Sequence, residues 1–219
     1  MSNLRMNPNL LNVPAYIGGK PIEEVQQEYG LSDIIKIASN ENAFGPSPRA
    51  LAALREALPN AHRYPGIADK LLRQKLAARF NTAHDASFTE ANFMTGNGLS
   101  DVLRILATTF IFDGGESVFC TPTFPLYSIF TRMLGGKAVA VPHANYGYNL
   151  FGMLDAINDN TRLVFVCNPN NPTGTLLTRS EVESFMARVP ESALVVFDEA
   201  YYDFVEDAHY SNAVEYLKQ

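Results

Sequence analysis

The chain of 219 residues has only two cysteines, and it contains no apolar run long enough to span a membrane. The opening segment, MSNLRMNPNLLNVPAYIGG, also lacks the apolar core of a secretory signal peptide. Cys120 and Cys167 both fall within apolar, strand-like runs, which favours buried free thiols over a disulfide or a metal pair. We therefore expect a soluble, cytoplasmic protein in a reducing environment, with no metal site and no membrane partner.

An excess of positive charge is also missing. The chain has 17 Lys and Arg residues against 23 Asp and Glu residues, for a net charge of −6, and the two signs are interspersed. A basic stripe with interleaved aromatic residues is typical of nucleic-acid binding, and its absence argues against a nucleic-acid partner. The composition is 47% hydrophobic, which suffices for one sizeable core, and the length fits one domain plus part of another.

The N-terminal part of the chain is punctuated by proline and glycine. It carries one short helical pattern near Glu23–Tyr29 and a strand pattern at Ile34–Ala38. Ser47 followed by Pro48 is a typical helix start, and it predicts a helix that continues through Leu58.

Beyond this part, apolar runs alternate with helical patterns. The predicted strands, all short and apolar, are 92–95, 117–121, 138–141, 163–167 and 194–197. The predicted helices are 67–80, 99–110, 126–134, 151–157 and 180–189. Strands that alternate with helices imply parallel crossovers, and strands that are apolar throughout are expected where both sheet faces are covered. The prediction is an α/β fold with a mostly parallel sheet sandwiched by helices.

The same patterns suggest how the chain divides. We assign residues 1–45 to an N-terminal arm and small-domain segment, and residues 46–219 to a large domain. A last helical pattern starts at Val214 and has no closing strand behind it. We therefore expect the large domain to be incomplete at its C-terminus.

Polar side chains follow two of the predicted strands at the point where each strand ends. The run VFVCNPNNPTG ends in amides, among them Asn171, and the run LVVFDEAYYDF offers Asp198 and Tyr201. In open α/β sheets ligands bind at the carboxyl ends of strands. A buried Asp198 needs a partner, and a protonated ring nitrogen would serve, as would a helix end or an arginine. The pattern suggests one polar aromatic ligand gripped at two edges.

Two further features fit such a ligand. Gly96-Asn97-Gly98 lies between a predicted strand and a predicted helix, where glycines and free N–H groups can hold a phosphate. Asp101 stands where a dinucleotide fingerprint has its third glycine, so a phosphate monoester fits better, although a plain tight turn is the alternative. Phe124 follows another strand and can stack on a flat ligand or pack under its own loop.

Taken together, these residues resemble a known family. The resemblance rests on the segments Ser39-Asn40-Glu41-Asn42, Arg63-Tyr64-Pro65-Gly66, Asn171-Pro172-Thr173-Gly174 and Asp198-Glu199-Ala200-Tyr201. In this order they are similar to the aspartate-aminotransferase-type fold of pyridoxal-phosphate (PLP) enzymes. Within that fold the run from Val13 to Tyr16 and the run from Gly19 to Val25 most resemble histidinol-phosphate aminotransferases. The resemblance covers essentially the whole chain.

The resemblance implies which residues hold the cofactor phosphate and the ring face. Asn97, Gly98 and Leu99 would hold the phosphate of pyridoxal 5′-phosphate, and Phe124 would stack on its pyridine ring. Tyr64 would reach the phosphate of the neighbouring subunit's cofactor, so a homodimer is implied.

It also implies which residues act at the edges of the ring and at the substrate. Asp198 would pair with the ring nitrogen, while Asn171 and Tyr201 would donate to the ring hydroxyl oxygen. Asp198 and Tyr201 are the catalytic residues on this reading. Tyr16 and Asn42 would contact the substrate.

The sequence departs from the family pattern at some points. Ala43 stands where the family usually has proline, and the phosphate loop is Gly-Asn-Gly where many members carry Ala or Ser followed by an acidic residue. The family's Schiff-base lysine occurs in a Ser-Lys context, and we expect it beyond Gln219; Lys218 has the wrong context and is interpreted as a surface lysine.

For the full-length protein the resemblance implies transamination in histidine biosynthesis. Histidinol phosphate would be the amino donor and 2-oxoglutarate the acceptor, giving imidazole-acetol phosphate and glutamate. The alternatives are an aromatic-amino-acid aminotransferase, a relative of threonine-phosphate decarboxylase, or a non-catalytic truncated protein of the PLP fold. A nicotinamide-dependent oxidoreductase is disfavoured by the missing third glycine.

Overall fold

The computed structural model describes residues 6–210 and 212–217. The chain forms two compact units. One is made of the residues up to Pro14 together with those from Ala68 onward, and the other is Ala15–Ile67. The predicted division between residues 45 and 46 stays a prediction.

The smaller unit, Ala15–Ile67, contains two α-helices and a 3-10 turn at Leu58–Asn60. Helix α1, Ile22–Tyr29, ends at Gly30, whose φ of 63° lies in the left-handed region that favours glycine. Helix α2, Pro48–Ala57, begins directly after Ser47, as predicted, although the Ser47 hydroxyl makes no capping hydrogen bond.

The predicted strand at Ile34–Ala38 is wrong. These residues have no regular secondary structure, and none of the strands that the structure describes lies in the smaller unit. Ile35 and Ile37 are 88% and 95% exposed. An apolar run becomes a strand where a neighbouring backbone takes up its hydrogen bonds, and this run has no such neighbour in its unit.

The larger unit is built on a four-stranded parallel sheet. Its strands are β1 Glu116–Thr121, β2 Lys137–Pro142, β3 Thr161–Cys167 and β4 Leu194–Asp198, in the order β2-β1-β3-β4. Val118 lies level with Val139 on one side and with Val164 on the other. The central strands β1 and β3 are buried on both faces, which is why they read as continuous apolar runs in the sequence.

Helices cover both faces of this sheet. The α-helices of the larger unit are α3 Lys70–His84, α4 Leu99–Phe110, α5 Leu126–Met133, α6 Leu150–Ala156, α7 Arg179–Met186 and α8 Val214–Leu217. On one face Leu103 of α4 and Tyr127 of α5 pack with Phe165. On the other face Met153 of α6 packs in the cluster that contains Val164. Because side chains alternate along a strand, β3 serves both cores, and the predicted mostly parallel sheet sandwiched by helices is confirmed.

The predicted strand at 92–95 is also wrong. Glu90–Asn92 forms a single 3-10 turn, which the side chain of Thr89 caps. Phe93, which follows, packs against the ring of Phe80 on α3. Phe93 is half-buried by this local aromatic packing and Met94 is 48% exposed, and none of the strands that the structure describes pairs with this segment.

The order in which the parallel strands are added to the sheet reverses between β1 and β3. From β1 the chain crosses to β2, and it then returns past β1 to β3, so the loops that leave β1 and β3 diverge. The ladder between these strands ends at Phe119 and Phe165, whereas β3 and β4 stay paired as far as Cys167 and Asp198. The hydroxyl of Tyr148 accepts the N–H of Cys167 at 2.8 Å where the ladder has stopped. This opening at the carboxyl edge is where α/β sheets bind ligands.

Cys120 and Cys167 are buried free thiols, as predicted. Burial raises the pKa of the Cys120 thiol to about 11. None of the helices within residues 6–210 and 212–217 is long and apolar enough to cross a membrane. Within the same ranges no group of three or more His, Cys, Asp or Glu side chains is placed to hold a metal ion.

Candidate functional site

Asp198, the last residue of β4, is a buried carboxylate at the carboxyl edge of the sheet and is 4% exposed. The Tyr127 hydroxyl donates to its Oδ2 at 2.5 Å, and the Ala200 N–H donates to its Oδ1 at 3.2 Å. None of the ion pairs within the described ranges involves Asp198. Burial raises the pKa of Asp198, and the two hydrogen bonds offset part of this effect. Neither a helix end nor an arginine of the described residues satisfies this carboxylate, so it is suited to a cationic ligand atom.

The loop after β3 is fastened by two buried amides. The Oδ1 of Asn168 accepts the N–H of Leu177 at 2.9 Å, further along the same loop. The Oδ1 of Asn170 accepts the Thr123 hydroxyl at 2.7 Å, and its Nδ2 donates to the carbonyl of Pro122 at 3.0 Å. These contacts tie the loop after β3 to the loop after β1. Both amide side chains are therefore engaged in hydrogen bonds that hold the loop in place.

Asn171, the third amide of this loop, faces a different neighbour. Its Nδ2 lies 3.5 Å from the hydroxyl of Tyr201, which follows β4, although the two residues are 30 positions apart in the chain. Both side chains are half-buried. The structure therefore brings together the amide and the phenol that the sequence assigned to one ligand oxygen.

The N-terminus of α4 presents free backbone amides. Gly98 has a φ of 76°, and a Cβ added there would meet nothing within 4 Å, so this backbone conformation is what favours glycine. The Asn97 N–H already donates to Asp101 Oδ2 at 3.0 Å, and the Gly98 N–H donates within its own loop at 2.8 Å. In the hydrogen bonds found for the described part of the chain, the N–H groups of Leu99 and Ser100 donate to nothing. These two amides are therefore the ones that an anion can use.

The role of Asn97, Gly98 and Leu99 at a phosphate stays a prediction, and the structure adds one free amide to this loop. Asn97 and Gly98 shape the loop with their backbone amides, and Ser100, which the sequence interpretation did not include, supplies a free one. Its position one residue inside the helix is the signal that could have identified it, because the first amides of any helix lack internal partners.

Aromatic side chains form the floor beside Asp198. Phe124 is half-buried and packs edge-to-face on Tyr127, with ring centroids 5.9 Å apart and planes at 81°. Tyr127 stacks on Phe165 of β3 at 4.6 Å with planes at 6°. Tyr127 was not among the predicted site residues, because in the sequence it is one more apolar position of α5. Direct contacts now join the loops after β1, β3 and β4 at one edge of the sheet.

Comparison with known proteins assigns a family to this arrangement. The model of the class I and II aminotransferases matches residues 32–218. The chain belongs to this family. It is 44% identical over 209 residues to the histidinol-phosphate aminotransferase of Moorella thermoacetica, with 95% of this chain and 53% of that protein covered. The predicted resemblance is confirmed.

Solved structures of aminotransferases have the same fold as this chain. The crystal structure of histidinol-phosphate aminotransferase from Sinorhizobium meliloti in complex with pyridoxal-5′-phosphate matches with a TM-score of 0.80 and 28% identity, covering 92% of this chain and 52% of that one. The aspartate aminotransferase from Rhizobium meliloti, at 17% identity and a TM-score of 0.79, shares the fold, with 97% of this chain and 56% of that one covered. The chain spans about half the length of the curated relatives it matches.

Three predicted residues of this aminotransferase chain lie in the smaller unit. Asn42 closes a turn, because its Oδ1 accepts the N–H of Phe44 and its Nδ2 donates to the carbonyl of Gly45, both at 3.0 Å. Tyr16 is 56% exposed, and Tyr64 is fully exposed. The roles of all three at substrate or cofactor stay predictions.

Proposed function

We propose that the whole protein is a PLP-dependent aminotransferase with histidinol phosphate as amino donor and 2-oxoglutarate as acceptor, acting in histidine biosynthesis. The relatives named for this activity support the substrate assignment. The observation that carries the proposal is Asp198, a buried carboxylate at the carboxyl edge, next to the paired Asn171 and Tyr201. Such a carboxylate suits the protonated nitrogen of a pyridine ring.

The donor groups of the larger unit fit this cofactor. A phosphate suits the free amides of Leu99 and Ser100, where the positive end of the α4 dipole adds to their hydrogen bonds. The ring hydroxyl oxygen suits Asn171 and Tyr201, whose polar atoms already converge within 3.5 Å. The ring nitrogen suits Asp198. When bound, pyridoxal phosphate supplies an electron sink for the negative charge that develops at the substrate Cα.

The protein's own contribution follows from the environment of Asp198. Its carboxylate holds a proton on the ring nitrogen, because an ion pair buried away from water favours both charged partners. The buried amides Asn168 and Asn170 keep the loop after β3 from moving as the ligand enters. Phe124, anchored on Tyr127, limits the movement of a flat ring over this floor.

A homodimer is part of the proposal, with Tyr64 reaching the phosphate of the neighbouring subunit's cofactor. Tyr64 and Phe44 of the smaller unit are almost fully exposed, and large apolar side chains in such positions commonly cover a partner surface. A cytoplasmic location is also proposed, because Cys120 and Cys167 are free thiols and a reducing compartment keeps them so.

The test uses the full-length protein reconstituted with pyridoxal phosphate. Glutamate formation is measured with histidinol phosphate, phenylalanine, tyrosine or threonine phosphate as candidate substrates and 2-oxoglutarate as acceptor. We expect histidinol phosphate to be preferred. A preference for an aromatic amino acid, or decarboxylation of threonine phosphate, would move the assignment to those relatives, and no turnover of any substrate would refute the activity.

Asp198→Ala tests the site within the same assay. It should bind the cofactor weakly and lose activity by orders of magnitude. Asp203→Ala is the matched control, because Asp203 is an exposed carboxylate close by in the chain that faces Arg79 at 3.8 Å. Normal turnover by Asp198→Ala would show that the ring nitrogen is held elsewhere.

A further inference from the structure

We propose that Tyr127 is a positioning residue that holds Asp198 ready to receive the cofactor's ring nitrogen; this inference rests on the proposed function. Tyr127 lies on the first turn of α5, which follows β1, whereas Asp198 ends β4. The two residues are 71 positions apart and are joined by the 2.5 Å hydrogen bond from the tyrosine hydroxyl. Tyr127 is 1% exposed, so its hydroxyl reaches Asp198 in a region closed to water.

The packing around the Tyr127 ring leaves it little freedom. Phe165 stacks on the ring at 4.6 Å, Phe124 meets it edge-on at 5.9 Å, and Phe119 packs at 6.1 Å with a tilt of 57°. With the ring held on several sides, the hydroxyl has a fixed position. It sets the place of one oxygen of Asp198, and the N–H of Ala200 sets the other. The plane of the carboxylate is therefore determined before any ligand arrives.

The hydrogen bond also acts on the charge of Asp198. Burial raises the pKa of the carboxyl group, and the Tyr127 bond is the larger of the two effects that lower it again. Two other titratable groups lie next to Asp198, the Cys167 thiol and the Glu199 carboxyl group. Burial and the charge of Asp198 raise the pKa of Cys167, and burial raises the pKa of Glu199, which accepts from Tyr210. Among the hydrogen bonds of the described residues, Tyr127 is the only side-chain donor to Asp198.

The effect of Tyr127 on the charge of Asp198 predicts how the affinity for the ring changes with pH. Because the ionised carboxylate is the form that receives a protonated nitrogen, affinity for the ring is lost as the pH falls through the pKa of Asp198 in the cofactor-free protein. Removing the Tyr127 hydroxyl raises that pKa further. The acid limb of the affinity profile should then move to higher pH.

The experiment compares two ligands that differ in the ring nitrogen. Pyridoxamine 5′-phosphate carries the nitrogen and needs no lysine for binding, and its 1-deaza analogue replaces that nitrogen with carbon. Dissociation constants are measured by titration calorimetry on the cofactor-free full-length protein, its Tyr127→Phe and Asp198→Asn variants, and the double variant. Tyr127→Phe keeps the ring and its stacking, and thermal unfolding checks that it folds.

We expect Tyr127→Phe to lower the affinity for pyridoxamine phosphate by about 10-fold or more, which is the loss expected for a hydrogen bond to a charged group. The affinity for the deaza analogue should change by less than about 2-fold. In the Asp198→Asn background the same change should have little further effect, because Tyr127 acts through the carboxylate. Tyr210→Phe is the matched control. It removes a similar hydroxyl, 2.6 Å from Glu199, and should leave the preference for the ring nitrogen unchanged.

Each of the following results overturns the inference. One is an equal loss for both ligands in Tyr127→Phe, which would indicate packing alone. Another is a double variant in which the loss of pyridoxamine phosphate affinity equals the sum of the losses, in free energy, of Tyr127→Phe and Asp198→Asn. If Asp198→Asn itself keeps the preference for the ring nitrogen, the assignment of Asp198 in the proposed function is wrong, and the role of Tyr127 is wrong with it. If Asp198→Asn loses the preference and Tyr127→Phe keeps it, only the inference about Tyr127 is wrong.

Discussion

Replacing Asp198 by asparagine should stabilise the cofactor-free protein while weakening its hold on the cofactor. The carboxylate is buried with two hydrogen-bond donors and with no cationic side chain of residues 6–210 or 212–217 paired to it. Its ionised form therefore destabilises the cofactor-free fold, and a bound cationic ligand atom would offset this. Asparagine has nearly the same shape. The Ala200 N–H can donate to its Oδ1 while the Tyr127 hydroxyl accepts from its Nδ2, so both contacts are kept.

The size of the effect follows from these contacts. Burying an ion costs several kcal/mol, and hydrogen bonds to a charged group contribute about 1.5–3 kcal/mol each, against about 0.5–1.5 kcal/mol for neutral pairs. Two such hydrogen bonds offset only part of the free energy needed to bury the carboxylate. We expect the variant to be more stable by about 1–3 kcal/mol, which corresponds to a rise in Tm of about 3–8 °C for a chain of this size.

The stability difference between the wild-type protein and Asp198→Asn should depend on pH. The pKa of Asp198 is raised in the fold, so the wild-type protein loses stability as the pH rises from about 4 through that raised pKa. Asparagine does not titrate. The advantage of the variant should be near zero at about pH 4 and should grow toward about pH 8.

Thermal unfolding of the cofactor-free protein by calorimetry, across that pH range, measures the effect. Asp203→Asn serves as the control, because its side chain is 66% exposed and it should unfold like the wild type. A variant of Asp198 that is less stable than the wild type at about pH 8 would refute the reasoning, as would an advantage that does not change with pH.

Other substitutions test the core, the phosphate loop and the segment after β4. Phe185→Ala, at a fully buried position of α7, should lower the free energy of unfolding by about 3–5 kcal/mol in urea titration. Gly98→Ala meets no neighbour but strains a φ of 76° by about 1–2 kcal/mol, so calorimetry should show weaker binding of pyridoxamine phosphate. Glu199→Ala removes the acceptor of the Tyr210 hydroxyl and the Ala213 N–H, so limited proteolysis near residue 210 should become faster.

The sequence predicts most of the larger unit well where burial and local pattern agree. Helix α4 was predicted with the bounds that it has, Leu99–Phe110, because its apolar spacing is strong and glycine precedes it. Strand β3 was predicted two residues short at its start. The strands predicted at Ile34–Ala38 and 92–95 do not form, because an apolar run says nothing about whether a neighbouring strand is present.

The candidate site divides in the same way. The positions of Asp198 and Asn171 at strand ends could be read from the sequence, since an apolar run that stops at a polar residue marks the end of a buried strand. The free amide of Ser100 was not predicted, because the sequence interpretation included the backbone amides only as far as Leu99. Tyr127 was missed because a buried tyrosine on a helix has the same local pattern whether its hydroxyl meets a carboxylate or not.

By itself, then, the sequence determined the alternation of helices with the four strands that form the sheet, the family, and the polar residues at the carboxyl edge of the sheet, because each of these depends on local pattern or on short motifs. The tertiary structure decided which side chains meet there. The reversal between β1 and β3 opens the edge, and the packing of α5 carries Tyr127 to Asp198 across 71 positions of chain. Contacts of this kind depend on how distant elements pack, and no local periodicity encodes them.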